Sequence, residues 1–120
     1  MKVLITGTSQ GIGRAIAELF LNKGHSVIGI DRQASSIDHA AYTHHQCDVR
    51  DKERLPEIDD VEILVNNAGT QNEADIDINL KALIHITEKY GIQEDIHSIL
   101  NIGSASAHTG AEFPEYCASK

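Results

Sequence analysis

Thr6-Gly7-Thr8-Ser9-Gln10-Gly11-Ile12-Gly13 stands between an apolar run, Lys2-Val3-Leu4-Ile5, and an amphipathic one, Arg14 to Lys23. The flanks read as a strand before the turn and a helix after it. Glycine adopts positive φ and carries no Cβ, so the three glycines let a strand-to-helix turn wrap closely around a pyrophosphate. The helix that follows aims its unpaired N–H groups at such an anion. Ile12, Ile16, Leu19 and Phe20 fall on one stripe, with Lys23 in the last turn and Gly24 just beyond, which predicts a helix over 12–23. A second apolar run, Ser26-Val27-Ile28-Gly29-Ile30, ends in Asp31, eighteen positions past Gly13. Strand, glycine turn, helix, strand and terminal acid make a βαβ unit with a carboxylate placed to bind a ribose.

The alternation continues along the chain. Strands are expected over 2–6, 26–31, 43–47, 61–66 and 97–103, and helices over 12–23, 51–57 and 74–90. The inner strands are continuous apolar runs, as a sheet covered on both faces requires. The fold class is therefore α/β, a doubly wound parallel sheet of order 3-2-1-4-5, with the ligand across the carboxyl ends of the strands where the order reverses. No linker, repeat or low-complexity stretch divides residues 1–120, which read as one domain.

Three residues separate Gly7 from Gly11, where the general dinucleotide fingerprint has one. The turn resembles instead the TGxxxGxG segment of the short-chain dehydrogenase/reductase family. Three further segments match that family in order. Asn66-Asn67-Ala68-Gly69, after the run Val61 to Val65, is similar to its NNAG segment, which stabilises the central sheet beside the cofactor. Asn101-Ile102-Gly103-Ser104 resembles the serine-bearing end of strand five, and Tyr116-Cys117-Ala118-Ser119-Lys120 resembles the YxxxK motif. The resemblance implies a Rossmann-type domain that binds NAD(P), and a cofactor site that includes Gly7, Ser9, Gln10, Gly11, Ile12 and Gly13 of the turn. Asn67, Ala68 and Gly69 would line the same site.

The chemistry of the last motif follows from its residues. Pro114 suits a first helical turn, so Tyr116 and Lys120 should lie four apart on one helical face. A phenol with a pKa of about 10 is a poor base at neutral pH. A lysine ammonium one turn away favours the phenolate, as does the positive ring of an oxidised nicotinamide, and Tyr116 becomes a usable acid/base. Ser104 can hydrogen-bond the substrate oxygen while the tyrosine exchanges its proton. By resemblance, Lys120 also contacts the nicotinamide ribose, and Asn79 holds a water linking Lys120 to solvent. Nine residues separate Gly69 from Asn79, about half the family's spacing, so the helix carrying Asn79 should start early. The Ser104 to Tyr116 gap is one residue shorter than is common, which places a deletion in the loop 105–113. His108 in that loop reads more readily as exposed than as pocket lining.

Cofactor choice turns on Asp31 and Arg32. A carboxylate there accepts hydrogen bonds from both ribose hydroxyls and repels a 2′-phosphate, favouring NAD. Arg32 could instead hold the phosphate of NADP. Asp48-Val49, at the end of the third strand, resembles the family's adenine-contacting pair.

With 18 acidic and 10 basic residues and no cluster of lysine or arginine, the chain offers no surface for nucleic acid. No apolar stretch reaches the roughly 18 residues of a membrane span, and the N-terminus runs straight into the first strand without a signal peptide. A cytoplasmic location is expected. Cys47 and Cys117 read as free thiols, and neither they nor the adjacent His44 and His45, which point to opposite faces of a strand, suggest a metal site. In the helix 74–90, Ile76, Leu80, Leu83 and Ile84 form one apolar stripe, and Ile78, Ala82 and Ile86 another. One should cover the sheet and the other needs a partner; in the family this chain resembles the corresponding helix packs against its own copy, so the resemblance implies a homo-oligomer.

The resemblance covers the first half of the family's length, so the domain is expected to lack its later strands and, as 120 residues alone, to be inactive and poorly folded. The function implied is an NAD(P)-dependent oxidoreductase that interconverts a secondary alcohol and a ketone. The substrate could be an oxoacyl thioester, a cyclic dihydrodiol or a sugar alcohol. A non-catalytic nucleotide-binding module or an inactive fragment is the alternative.

Overall fold

The computed structural model describes residues 1–72 and 74–120. Five strands, β1 (Lys2–Thr6), β2 (Ser26–Asp31), β3 (Tyr42–Gln46), β4 (Ile63–Asn66) and β5 (Ser98–Asn101), form one sheet of order β3-β2-β1-β4-β5. Every neighbouring pair is parallel. The chain reverses direction across the sheet after β3, so β1 and β4 end side by side at the point where a ligand can enter.

Alternation along the strands divides the core into two layers. Val3, Ile5, Val27 and Val65 meet Ala17 and Leu21 of helix α1 (Gly11–Asn22). Leu4, Ile30 and Leu64 meet Ala82, Ile86 and Tyr90 on the opposite face. Val3, Leu4 and Ile5 have no exposed surface at all, and such burial contributes roughly 1.5–3 kcal/mol per side chain. β1 is thus the centre of a sheet covered by helices on both faces, as the apolar runs predict.

The helix expected over 74–90 is present, but its first part, Ile76–Ala82, is π-helical and runs directly into α2 (Leu83–Tyr90). Its Ala82 and Ile86 face the core, while Leu80 and Ile84 remain 38% and 46% exposed, so the two apolar stripes separate as the sequence suggests. β5 is one of the sheet's two edges, with Ile99 and Leu100 exposed.

The helix expected over 51–57 does not form. Pro56 has no N–H to continue one. Side chains at and just beyond the end of α2 bond carbonyls here instead: Tyr90 Oη donates to Pro56 O at 2.6 Å, and Gln93 Nε2 donates to Ile58 O at 2.6 Å. Gln93 Oε1 accepts the Val61 N–H at 3.0 Å. Leu55, Ile58 and Val61 are buried without helical spacing. Two short helices, α3 (Ser106–Thr109) and α4 (Pro114–Ser119), follow β5.

Candidate functional site

The glycine turn is held from below by the segment after β4. Thr6 Oγ1 accepts the backbone N–H groups of Asn67 and Ala68 at 3.1 and 3.0 Å. Asn67 Nδ2 donates to Thr6 O and Gly7 O at 3.1 and 3.0 Å. A Cβ on Gly13 would collide with Gly7 O and Asn67 Nδ2, so only glycine lets α1 start this close to the turn. Gly11, at φ +59°, has open space on its Cβ side.

α1 opens without a side-chain cap, and its first turn carries no acidic residue. The first intrahelical bond runs from Arg14 N–H to Gln10 O at 3.3 Å. The N–H groups of Gly11, Ile12 and Gly13 therefore have no intrahelical acceptor and keep the partial positive charge of a helix start.

A cleft of about 310 Å³ lies against this helix start. Gly7, Gln10, Gly11 and Ile12 border it from the turn, and Asn67, Ala68 and Gly69 from the segment after β4. Asp31, Arg32, Asp48 and Val49 enter it from the ends of β2 and β3. The Asp31 carboxylate is fixed by two backbone donors, Ser9 N–H on Oδ2 at 2.9 Å and Gln33 N–H on Oδ1 at 2.8 Å. Asp48 receives Arg50 Nε and Nη2 at 3.0 and 2.7 Å, and this guanidinium holds its carboxyl below the usual carboxylate range.

A second opening, of about 260 Å³, adjoins the first and is bordered by Ser104, Tyr116 and Lys120. Ile12, Asn67, Gly69 and Thr70 line both. Pro114 begins α4, and Lys120 N–H reaches Tyr116 O at 3.2 Å, so tyrosine and lysine stand one turn apart. Burial pushes the Lys120 ammonium below its ordinary pKa. Ser104 Oγ accepts the Ser106 N–H at 3.2 Å, which leaves its proton free to donate.

Ser9, Gly13 and Asn79 do not border either opening. Ser9 spends its N–H on Asp31 and its hydroxyl on Ala34 O at 2.9 Å, and Gly13 lies beneath the turn. Asn79, in the π-helical segment, is buried; its Nδ2 donates to Thr70 O and Ser119 Oγ at 2.7 and 3.0 Å, and its Oδ1 accepts the Thr70 N–H at 2.8 Å. It ties α4 to the loop after Gly69. His108 is exposed on α3, outside both openings.

Sequence reasoning passed over Thr6, Gln33, Arg50 and Thr70. Thr6 stands within the quoted turn, but its role as acceptor for two N–H groups depends on β4 lying beside β1. Arg50, two residues past Asp48, could have been paired with it from spacing alone.

The sequence profile of one family, described as short chain dehydrogenase, matches residues 1–120. Human 15-hydroxyprostaglandin dehydrogenase [NAD(+)] is 35% identical over 149 aligned positions, covering 98% of this chain and 55% of the relative. The 3-oxoacyl-[acyl-carrier-protein] reductase FabG of Haemophilus influenzae is 33% identical, over 98% of this chain and 61% of the relative. Among solved structures, serine dehydrogenase from Escherichia coli superposes with a TM-score of 0.84 at 28% identity, covering 99% of this chain and 69% of that one. The chain spans little more than half the length of these curated relatives. Its 120 residues spread over 149 aligned positions, so the relatives also carry extra residues within the matched stretch.

Proposed function

The chain belongs to the short chain dehydrogenase family, and from that premise we propose that it serves an NAD(P)-dependent oxidoreductase interconverting a secondary alcohol and a ketone. The supporting observation is the continuity of the two openings: Ile12, Asn67, Gly69 and Thr70 border both the cleft at the helix start and the opening with Ser104, Tyr116 and Lys120. A dinucleotide laid in the first would present its far end to the second. The residues present fit such a cofactor. Unaccepted N–H groups at a helix start suit a pyrophosphate, and the open side of Gly11 leaves it room.

A nicotinamide, when bound, supplies or receives the hydride. The chain's own residues manage the proton. Ser104 donates a hydrogen bond from its hydroxyl to the substrate oxygen and holds that oxygen beside Tyr116. Tyr116 gives its phenolic proton to that oxygen during reduction and takes it back during oxidation. Lys120, one turn on, stabilises the phenolate by charge, and burial holds its own pKa below the ordinary lysine value. Asn79 is the positioning residue that fixes α4, and hence this pair, against the loop after Gly69.

Asp31 makes NAD the preferred cofactor. Its carboxylate is held in the cleft, where it accepts from ribose hydroxyls and repels a 2′-phosphate. Arg32 lines the same cleft, and its charge adds the smallest of the contributions that lower the Asp48 pKa. Leu80 and Ile84, exposed on the helix after β4, provide the face for a second copy.

Tyr116→Phe tests the chemistry. In the active protein it abolishes turnover of secondary alcohols and leaves the NADH dissociation constant within about twofold. Turnover that survives the substitution overturns the role given to Tyr116, and a loss of both binding and fold shows that the residue is structural.

A further inference from the structure

A chain of side-chain hydrogen bonds runs behind the ribose end of the cleft. Thr8 Oγ1 and Tyr42 Oη lie 2.7 Å apart, Tyr42 Oη and His44 Nδ1 2.8 Å, and His44 Nε2 and Gln33 O 2.9 Å. Its direction follows from its last acceptor. A carbonyl only accepts, so Nε2 carries the imidazole proton and donates to Gln33 O. In the neutral ring Nδ1 then accepts from the Tyr42 hydroxyl, which in turn accepts from Thr8. Burial raises the Tyr42 pKa, so the phenol keeps the proton it must donate.

The chain is built into three elements at once. Thr8 is in the glycine turn and fully buried, Tyr42 and His44 are on β3, and Gly29 on β2 lies between them. A Cβ at Gly29 would collide with Tyr42 Oη and Thr8 Oγ1, so the strand leaves the space the two hydroxyls occupy. The ends of the chain bracket Asp31. Ser9, next to Thr8, donates its N–H to one carboxylate oxygen, and Gln33, whose carbonyl His44 holds, donates its N–H to the other. Ser36 Oγ adds a bond to Ser9 O at 2.6 Å, closing the loop onto the turn.

We propose that Tyr42 and His44 are positioning residues for cofactor choice: through Thr8 and Gln33 they hold the two backbone donors that aim the Asp31 carboxylate. This rests on the assignment of Asp31 as the ribose acceptor. A carboxylate so held presents its remaining lone pairs in a fixed direction and gains selectivity for a free 2′-hydroxyl. Released, it swings into solvent and discriminates less.

The test measures NADH and NADPH dissociation constants by nicotinamide fluorescence for the wild type, Tyr42→Phe, His44→Leu, Asp31→Asn and the Asp31→Asn/Tyr42→Phe pair. Alongside, hydrogen exchange is followed at the Ser9 and Gln33 amides. Tyr42→Phe is expected to weaken NADH binding about fivefold to tenfold, to leave NADPH nearly unchanged, and to add nothing in the Asp31→Asn background. Both amides should exchange faster in Tyr42→Phe and His44→Leu while those of β1 stay protected. An equal loss for both cofactors, or a full Tyr42→Phe effect persisting without the Asp31 carboxylate, overturns the proposal. So do unchanged amides, and that arm requires no cofactor. If Asp31→Asn itself leaves the NADH to NADPH ratio unchanged, it is the ribose assignment that fails.

Discussion

Asn67 Nδ2 donates to the carbonyl oxygen of Gly7 at 3.0 Å, and so the segment after β4 closes the glycine turn from beneath. The same nitrogen bonds Thr6 O, and it stands where any side chain on Gly13 would have to go. Asn67→Ala should strand two carbonyls of the turn at a cost of about 1–3 kcal/mol, and Gly13→Ala should cost a comparable amount through overpacking. Urea midpoints of the two variants measure this. Midpoints equal to the wild type's would show that the turn holds itself.

Acid stability should depend on Arg50. Its guanidinium lowers the Asp48 pKa in the folded state, so the pair stabilises the fold above the carboxyl's unfolded value and loses that contribution as pH falls through the lowered folded value. Arg50→Gln should return Asp48 to the ordinary carboxylate range, read by carboxyl-carbon NMR titration. The effect on stability is small, below about 1 kcal/mol, because the Asp48 and Arg50 side chains are 33% and 42% exposed.

Lys120 has the opposite sign. Burial disfavours its ammonium, so the folded pKa lies below 10.5 and the unfolded chain binds the proton more tightly. Its charge therefore costs stability at neutral pH, and that cost is relieved as pH rises from the folded pKa to 10.5. Amine-labelling rates followed against pH should show Lys120 reacting at lower pH than the exposed Lys23 and Lys52. A Lys120 that reacts in step with those two lysines contradicts the burial given to it.

Tyr90 replaces the helix that Pro56 prevents. Its hydroxyl donates to Pro56 O from a ring that is 1% exposed. Tyr90→Phe should cost about 1–2 kcal/mol in thermal unfolding by leaving that carbonyl without its donor. A neutral substitution would show that water satisfies it.

The sheet was legible because its evidence is local. Val3 to Ile5, Val27 to Ile30 and Leu64 to Val65 are apolar runs that only a doubly covered sheet accommodates, and the strand order follows from the βαβ unit they make with the turn. The segment 51–57 misled because Lys52, Glu53, Arg54 and Leu55 are good helix formers, whereas the carbonyls of Pro56 and Ile58 are taken by Tyr90 and Gln93, more than thirty residues away. The π-helical segment Ile76–Ala82 is likewise invisible to period, and so are the bonds its Asn79 side chain makes to Thr70 and Ser119. Tyr42 and His44 left no trace as site residues, because their link to Asp31 passes through two neighbouring strands and a loop carbonyl.

Titration of the folded chain with NADH, followed by nicotinamide fluorescence and repeated with NADPH, tests the assignment of the cleft most directly. Saturable binding that is tighter for NADH is the expected result. A chain whose circular dichroism shows the α/β fold but which binds neither nucleotide, or prefers NADPH, contradicts it.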